Sequence, residues 1–177
     1  MDLLKIISEN YCFMFSGRIN ILSKVTKQYL GAIIQVEGKI VNAKYMNLVG
    51  KKALASILLE LKGNKAFNFV SEPEVISSSD IQFEINENQF LKFKNDYFEQ
   101  YEELNKLRPK EDLKLSIDSS KFNFSLGLSK IEFDTICCIL DYSLVKDIYM
   151  HCDLLDFEIT TALISLRKKG MLKVVGL

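Results

Sequence analysis

The chain has 177 residues, of which 48% are hydrophobic and 26% charged, with a formal net charge of zero. This length and composition are typical of one or two globular domains with a sizeable core. The charges are unevenly spread: residues 1–65 carry a net +6, residues 66–111 a net −5 and residues 112–177 a net −1. Because the lysines of the first region are scattered singly, they favour a solvated surface and weigh against a nucleic-acid-binding face.

The cysteines indicate a reducing compartment. None lies at Cys-x-x-Cys spacing, and the adjacent Cys137 and Cys138 are poorly placed to share a disulfide or a zinc ion. The amino terminus lacks the cationic start and apolar stretch of a signal peptide, and no run approaches the ~20 apolar residues of a membrane span. We therefore expect a cytoplasmic protein with four free thiols, no zinc and no contact with a membrane.

The first elements are predicted from apolar periodicity. An opening helix ends near Asn10, and Ile19 and Ile21 alternate with polar residues as in a half-buried strand. Two further apolar runs, 29–36 and 39–45, are separated only by Glu37 and Gly38, which predicts a β-hairpin.

A helix and a strand are predicted next. Leu54, Ile57, Leu58 and Leu61 recur at helical spacing after Gly50, and Gly63 stands where a left-handed cap is expected. Residues 67–70 then return as a strand. The segment 71–80, with one proline and three consecutive serines, is the best candidate for a linker.

An aromatic helix follows the linker. Its apolar residues recur at intervals of three and four, and it should end by Arg108 because the residue before Pro109 avoids helical conformation. Asn86 or Asn88 would cap its start. Residues 113–126 then alternate weakly, which indicates extended structure.

The last fifty residues contain three short helical patterns, a break at Gly170 and a final strand. The first pattern is marked by Ile131, Phe133, Ile136, Ile139 and Leu140. This order of helices and strand is the outline of a winged-helix-like unit.

Residues 16–70 resemble the PATAN domain family of bacterial signalling proteins. The matching succession is Gly17, Gly31, Gly38-Lys-Ile-Val, Ala43, Gly50, Ala53-Leu54, Leu58-Leu59, Gly63 and Phe67. The chain departs from the pattern at Gln35, where an aromatic residue is common, and at Asn42, where a histidine often precedes the alanine. Residues 155–172 resemble the winged-helix-like part that ends longer members.

This resemblance implies protein–protein interaction in bacterial signal transduction, often alongside receiver domains, and no enzymatic activity. Together with the element pattern it predicts an α+β fold with three parts. These are a PATAN-like β-rich domain with packing helices over residues 1–80, an amphipathic helical segment over 81–111, and a winged-helix-like domain over 112–177.

No set of residues has the spacing of a catalytic, cofactor or metal site. His151 has no nucleophile at a suitable position, and its neighbour Cys152 would point about 100° away on a helix. The sequence after Gly50 lacks the hydroxyl residue of a nucleotide-binding loop. The carboxylates between Asp153 and Glu158 are better explained as helix caps. We predict a non-enzyme with no cofactor and no metal.

The candidate partner-binding residues lie on the aromatic helix: Phe90, Phe93, Tyr97 and Tyr101. Packing into the core is the simpler interpretation, and the alternative is a surface for a partner or for a second copy in a homo-oligomer. The expected partner is another signalling protein, either receiver-type or motor-associated.

Two other functions remain open. The carboxy-terminal unit could act as a DNA-binding transcription regulator, although Asp156 and Glu158 would place negative charge at the start of a recognition helix. A ligand-sensing module with a pocket between the two units is the third hypothesis.

Overall fold

The structure, a computed structural model, describes residues 2–121 and 127–175. Its described residues form an α+β fold, as predicted, in two compact units of residues 1–98 and 99–177. The first unit contains the whole PATAN-like segment predicted for residues 1–80 together with the start of the aromatic helix. In chain order the elements are α1 (Leu3–Cys12), β1 (Gly17–Ser23), β2 (Tyr29–Val36), β3 (Lys39–Tyr45), β4 (Leu48–Val49), α2 (Gly50–Lys62), β5 (Phe67–Pro73), α3 (Glu87–Leu104), β6 (Lys114–Ile117), α4 (Lys130–Asp141), α5 (Val145–His151), α6 (Asp156–Lys168) and β7 (Leu172–Val175).

The first unit is built on a five-stranded antiparallel sheet of order β4-β3-β2-β1-β5. The predicted hairpin is confirmed with its bounds, since Val36 pairs with Lys39 across the turn. Both turn residues have positive φ, 50° at Glu37 and 79° at Gly38, as a two-residue hairpin turn requires. A Cβ at Gly38 would lie 2.6 Å from the Cα atom of Tyr11, so this turn also needs glycine for its contact with the end of α1.

One face of the sheet carries the core of the first unit. The inward residues of β1 alternate with polar ones, and the inward residues of β1 to β3 pack against α1, α2 and the start of α3. The largest fully buried side chains of this core are Leu3, Ile7, Ile19, Ile21, Ile33, Ile40, Leu54, Ile57 and Phe90. The period-two pattern of β1 and the helical pattern of α2 therefore lead to the same apolar layer.

The other face of the sheet is covered by the chain that follows β5. Arg18 forms an ion pair with Glu74 at 2.6 Å, and Lys44 forms one with Asp80 at 3.2 Å. Asn42, which is buried, donates from Nδ2 to the backbone oxygen of Asp80 at 2.7 Å and accepts at Oδ1 from the Gly50 amide at 3.2 Å. Its amide group thus holds both the segment after β5 that covers the sheet and the first residue of α2.

Two sequence predictions in this region are wrong. Gly63 has a φ of −73° and continues the helical turn, and the left-handed residue is Asn64 with a φ of 62°. Asparagine tolerates that conformation, so the cap lies one residue later. Residues 71–73 belong to β5 and are not linker, because the strand pairs with β1 as far as Pro73 opposite Gly17.

The predicted bounds of the aromatic helix are confirmed. The Asn86 and Gln89 side chains each accept a hydrogen bond of 2.9 Å from the other residue's backbone amide, and α3 begins at Glu87. The helix ends at Leu104 and a 3-10 turn continues to Leu107, before Pro109.

The second unit packs α4, α5 and α6 beside a two-stranded antiparallel sheet. The final strand β7 pairs with β6, which precedes the three helices, and Lys114 of β6 also bridges to Leu144. Leu115, Ile148, Ile159, Leu163 and Met171 are central to its core. The predicted extended stretch is a strand at Lys114–Ile117, and its residues 122–126 lie outside the described ranges.

We expect Leu58→Ala to lower the free energy of unfolding by about 2–5 kcal/mol, because the Leu58 side chain is buried in the core of the first unit. Leu91→Ala, the same change at an exposed position of α3, should cost only about 0.5 kcal/mol. Urea unfolding followed by circular dichroism measures both. Equal losses for the two variants would contradict this placement of the core.

Candidate partner-binding site

The four aromatic residues predicted to bind a partner do not share one exposed surface. Phe90 is 1% exposed and belongs to the core of the first unit, and Phe93 packs partly buried against that core. Tyr97 is 4% exposed and stacks on Phe93 with ring centroids 6.0 Å apart. Tyr101, in the second unit, is half-buried beside a narrow cleft that Asp156 also lines.

The simpler interpretation of the aromatic stripe, core packing, therefore describes Phe90 and Tyr97. A side chain that is almost completely covered by its own chain cannot anchor another molecule without local unfolding. The spacing of three and four residues is the same for a core-facing and a partner-facing helix, so the pattern alone cannot separate the two.

The second unit has an open groove of about 580 Å³, which we call the α6 groove. It is formed by the last turns of α3, the start of α4 and one side of α6. Its lining is mostly apolar or uncharged, with two glutamates and one lysine: Gln100, Leu104, Ser129, Ile131, Glu132, Phe157, Glu158, Thr161, Ala162, Ser165 and Lys169.

The Glu132 side chain accepts several hydrogen bonds at the wall of this groove. Its Oε1 atom accepts from Lys169 Nζ at 2.6 Å and from Ser165 Oγ at 2.7 Å, and Oε2 accepts from the Ser129 amide at 2.7 Å. Ser129 Oγ in turn accepts from the Glu132 amide at 3.2 Å, which completes a capping box at the start of α4. Lys169 also donates to the carbonyl oxygen of Gly127 at 3.0 Å.

These contacts determine the charge of Glu132. Burial of the carboxyl group raises its pKa, but the hydrogen bonds from Lys169, Ser129 and Ser165 outweigh burial and hold the pKa at about 2, below the ordinary 4.5. The carboxylate is therefore ionised at neutral pH, and both its oxygens accept hydrogen bonds from the protein. A proton acceptor held in this way is poorly suited to general acid–base chemistry, which needs a pKa near the working pH.

The acidic residues at the start of α6 also have partners within the second unit. Arg108 contacts the Asp156 carboxylate at 3.2 Å, and its guanidinium lies 4.1 Å from the centre of the Tyr149 ring. Glu158 Oε2 accepts from the Leu155 amide at 2.8 Å. The interpretation of these carboxylates as capping residues thus fits Glu158, whereas Asp156 is held mainly by an arginine.

Sequence reasoning did not find the α6 groove. The Ser129-x-x-Glu132 spacing is a recognisable capping-box signal and could have placed Glu132 at a helix start. The contribution of Ser165 and Lys169 could not be read in this way, because they lie 33 and 37 residues further along the chain.

The described ranges contain neither a cluster of metal-ligating side chains nor a membrane-spanning helix. Among residues 2–121 and 127–175, no three His, Cys, Asp or Glu side chains are grouped as a metal site would need. Every helix in the described part is too short or too polar to cross a bilayer. Cys12 and Cys137 are exposed, and Cys152 is buried.

No protein-family model, curated protein or solved structure matches this chain.

We expect Glu132→Gln to lower the free energy of unfolding by about 1–3 kcal/mol at pH 7, because an amide cannot replace a carboxylate that accepts three hydrogen bonds. The lowered pKa of Glu132 means that its contribution is complete above about pH 4.5 and is lost as the pH falls towards 2. The difference between parent and variant should therefore shrink over that interval. Denaturant unfolding at several pH values measures it.

Asp134→Asn, the same kind of amide substitution on the same helix, is the matched control and should cost only about 0.5 kcal/mol at pH 7. A gap between Glu132→Gln and the parent that stays constant from pH 7 to pH 2.5 would contradict the assignment.

Proposed function

We propose that this chain is a non-catalytic regulatory protein of bacterial signal transduction that binds another signalling protein, of receiver or motor-associated type. The resemblance of residues 16–70 to PATAN domains supports a role in bacterial signal transduction. The observation that carries the proposal is the α6 groove, whose apolar walls are open while its central carboxylate is bonded internally.

The groove fits an amphipathic helix of the partner. Its apolar side chains come from three helices, and such a groove is the usual acceptor of helical anchors at positions i, i+3 or i+4, and i+7. Leu104, Ile131 and Phe157 would contact those anchors. Most of the binding energy is expected from a few of these central contacts.

The charge beside the groove favours a basic partner helix. Glu103 is exposed and lies three residues after Gln100, which lines the groove, so the two share one face of α3. Glu132 is paired with Lys169, so Glu158 in the lining and Glu103 at the edge are the negative charges that an approaching helix meets. A lysine or arginine of the partner opposite Glu103 would set orientation and raise the association rate.

Binding to DNA is the alternative function, and the surface of α6 weighs against it. Apart from Arg167 and Lys168 at its far end, the exposed residue of this helix is Thr161. Its first turn carries two carboxylates, which would repel phosphates.

We therefore expect only non-specific affinity for DNA, with a Kd of about 10⁻⁴ to 10⁻⁶ M that weakens as salt is raised. Fluorescence anisotropy with labelled duplexes at 50 and 200 mM salt measures this. Nanomolar binding to one defined sequence at physiological salt would support the transcription-regulator hypothesis instead.

The docking proposal is tested by filling the groove. Thr161→Tyr introduces a large side chain at an exposed lining position and should weaken the Kd for the partner at least about tenfold, because it occupies the volume that an anchor residue needs. The partner is first captured from native cells and identified by mass spectrometry. Its affinity for the purified parent and variant is then measured by calorimetry.

Arg167→Tyr is the matched control, since this exposed residue of α6 does not line the groove, and it should bind as the parent does. Glu103→Lys should slow association and reduce its dependence on salt. Equal affinities for the parent and Thr161→Tyr would contradict the docking site. Saturation of the groove by a small apolar molecule purified with the protein would favour a ligand-sensing function.

A further inference from the structure

One side of α4 carries an apolar stripe that the described residues of the second unit leave exposed. Phe133 is 57% exposed, Leu140 is 71% exposed, and Cys137 between them is exposed too. We call these three residues the α4 stripe. They follow one another at intervals of four and three, so they share one face of the helix, while Ile136 and Ile139 on the inner face are buried.

One helical pattern in the sequence grouped Phe133 and Leu140 with Ile136 and Ile139, and in the structure the first two are exposed whereas the other two are buried. Both exposed residues lie beside Ile136 on the helix surface, three residues before it and four after it, but on the side that is turned away from Ile139. Two large apolar side chains with so much exposed surface on one helix face favour a contact with another molecule.

Opposite charges stand at the two ends of the stripe. Lys130 begins α4 and Asp141 ends it, and both are exposed. Neither forms an ion pair within the described residues. From its start to its end, this side of α4 therefore presents a cation, three apolar or weakly polar side chains, and an anion.

We propose that α4 pairs antiparallel with α4 of a second copy of this chain. A twofold axis through Cys137 would bring Phe133 to within about 1.5 Å, along the helix axis, of the level of the partner's Leu140. Lys130 would lie about 4.5 Å along the axis from the level of the partner's Asp141, within reach of a lysine side chain. A parallel pair would instead place Lys130 against its own copy.

The positions of the two charges, one at each end of the α4 stripe, favour a second copy of this chain as the binding partner. Reversed charges at the two ends of one stripe make the face complementary to itself under a twofold rotation, which is the symmetry of most homodimers. The helix dipoles are also favourably opposed in this arrangement.

The size of the face predicts a weak dimer. Three side chains on a twelve-residue helix bury much less than the ~800 Å² per partner of a stable complex. We expect a Kd on the order of 10⁻⁴ M, so that self-association depends on local concentration.

The pairing is tested by reciprocal charge exchange in the full chain. Lys130→Glu and Asp141→Lys should each weaken the dimer Kd about tenfold, and the double exchange should restore it to within about threefold of the parent. Leu140→Asp should weaken it about thirtyfold or more. Sedimentation equilibrium up to 1 mM protein measures the constants, and circular dichroism confirms that each variant is folded.

Lys110→Glu, a charge reversal at another exposed lysine of the same unit, is the control and should leave the Kd unchanged. A double exchange that stays as weak as the single ones, or a parent that remains monomeric at 1 mM, would overturn the proposal.

Cross-linking gives a second, independent readout. Helices packed 10 Å apart bring facing Cα atoms to about 5 Å, within the range of a disulfide. In a Cys12→Ser background, oxidised glutathione should link Cys137 to the partner's Cys137. The two thiols lose two electrons and two protons as the disulfide forms, and one molecule of oxidised glutathione takes them up to give two molecules of reduced glutathione. Mass spectrometry should find this link in the Cys12→Ser protein and much less of it when Leu140→Asp is added to that protein. Equal cross-linking in both would argue against the pairing.

This proposal is separable from the α6 groove. Thr161→Tyr should leave dimerisation unchanged, and Leu140→Asp should leave the affinity of one chain for its signalling partner unchanged.

Discussion

The buried carboxylate of Glu132 is the contact on which the second unit depends. It closes the capping box of α4, accepts a hydrogen bond from Ser165 of α6 and pairs with Lys169 just beyond that helix. One side chain thereby fixes the start of α4 against the end of α6. A buried pair of this kind adds less stability than its distances suggest, because desolvation offsets the attraction, but removal of either partner is costly. Its main effect is on geometry, since it holds the two helix surfaces that border the α6 groove.

In the first unit, both faces of one antiparallel sheet are covered. Three helices cover one face, and the chain after β5 covers the other through ion pairs and the amide of Asn42. Gln35 acts similarly on the helix side. Its Oε1 accepts from Asn10 at 2.7 Å, and its Nε2 donates to the Gly38 carbonyl at 2.7 Å. The two positions at which the chain departs from the PATAN pattern are thus buried and fully engaged in holding α1, the hairpin and α2 together.

The two exposed surfaces of the second unit differ in character. The α6 groove is concave and has a charged edge on one side, which suits a helix of a different protein. The α4 stripe is convex, narrow and ordered from positive to negative, which suits its own copy. Because Ile131 and Glu132 line the groove while the stripe begins at Phe133, consecutive residues of one helix serve two surfaces. Helical geometry makes this natural, as neighbours in sequence point about 100° apart.

The sequence by itself determined the elements whose signals are local. The hairpin at Glu37 and Gly38, the cap at Asn86 and the end of α3 before Pro109 all follow from contacts within a few residues. Only the tertiary structure decided which apolar face is covered. Phe90 and Phe133 are both large aromatic residues at helical spacing, yet one is buried and the other is exposed. Periodicity defines a face but not its neighbour, because the neighbour comes from residues far away in the chain. The groove, its carboxylate and the stripe depend on that long-range packing.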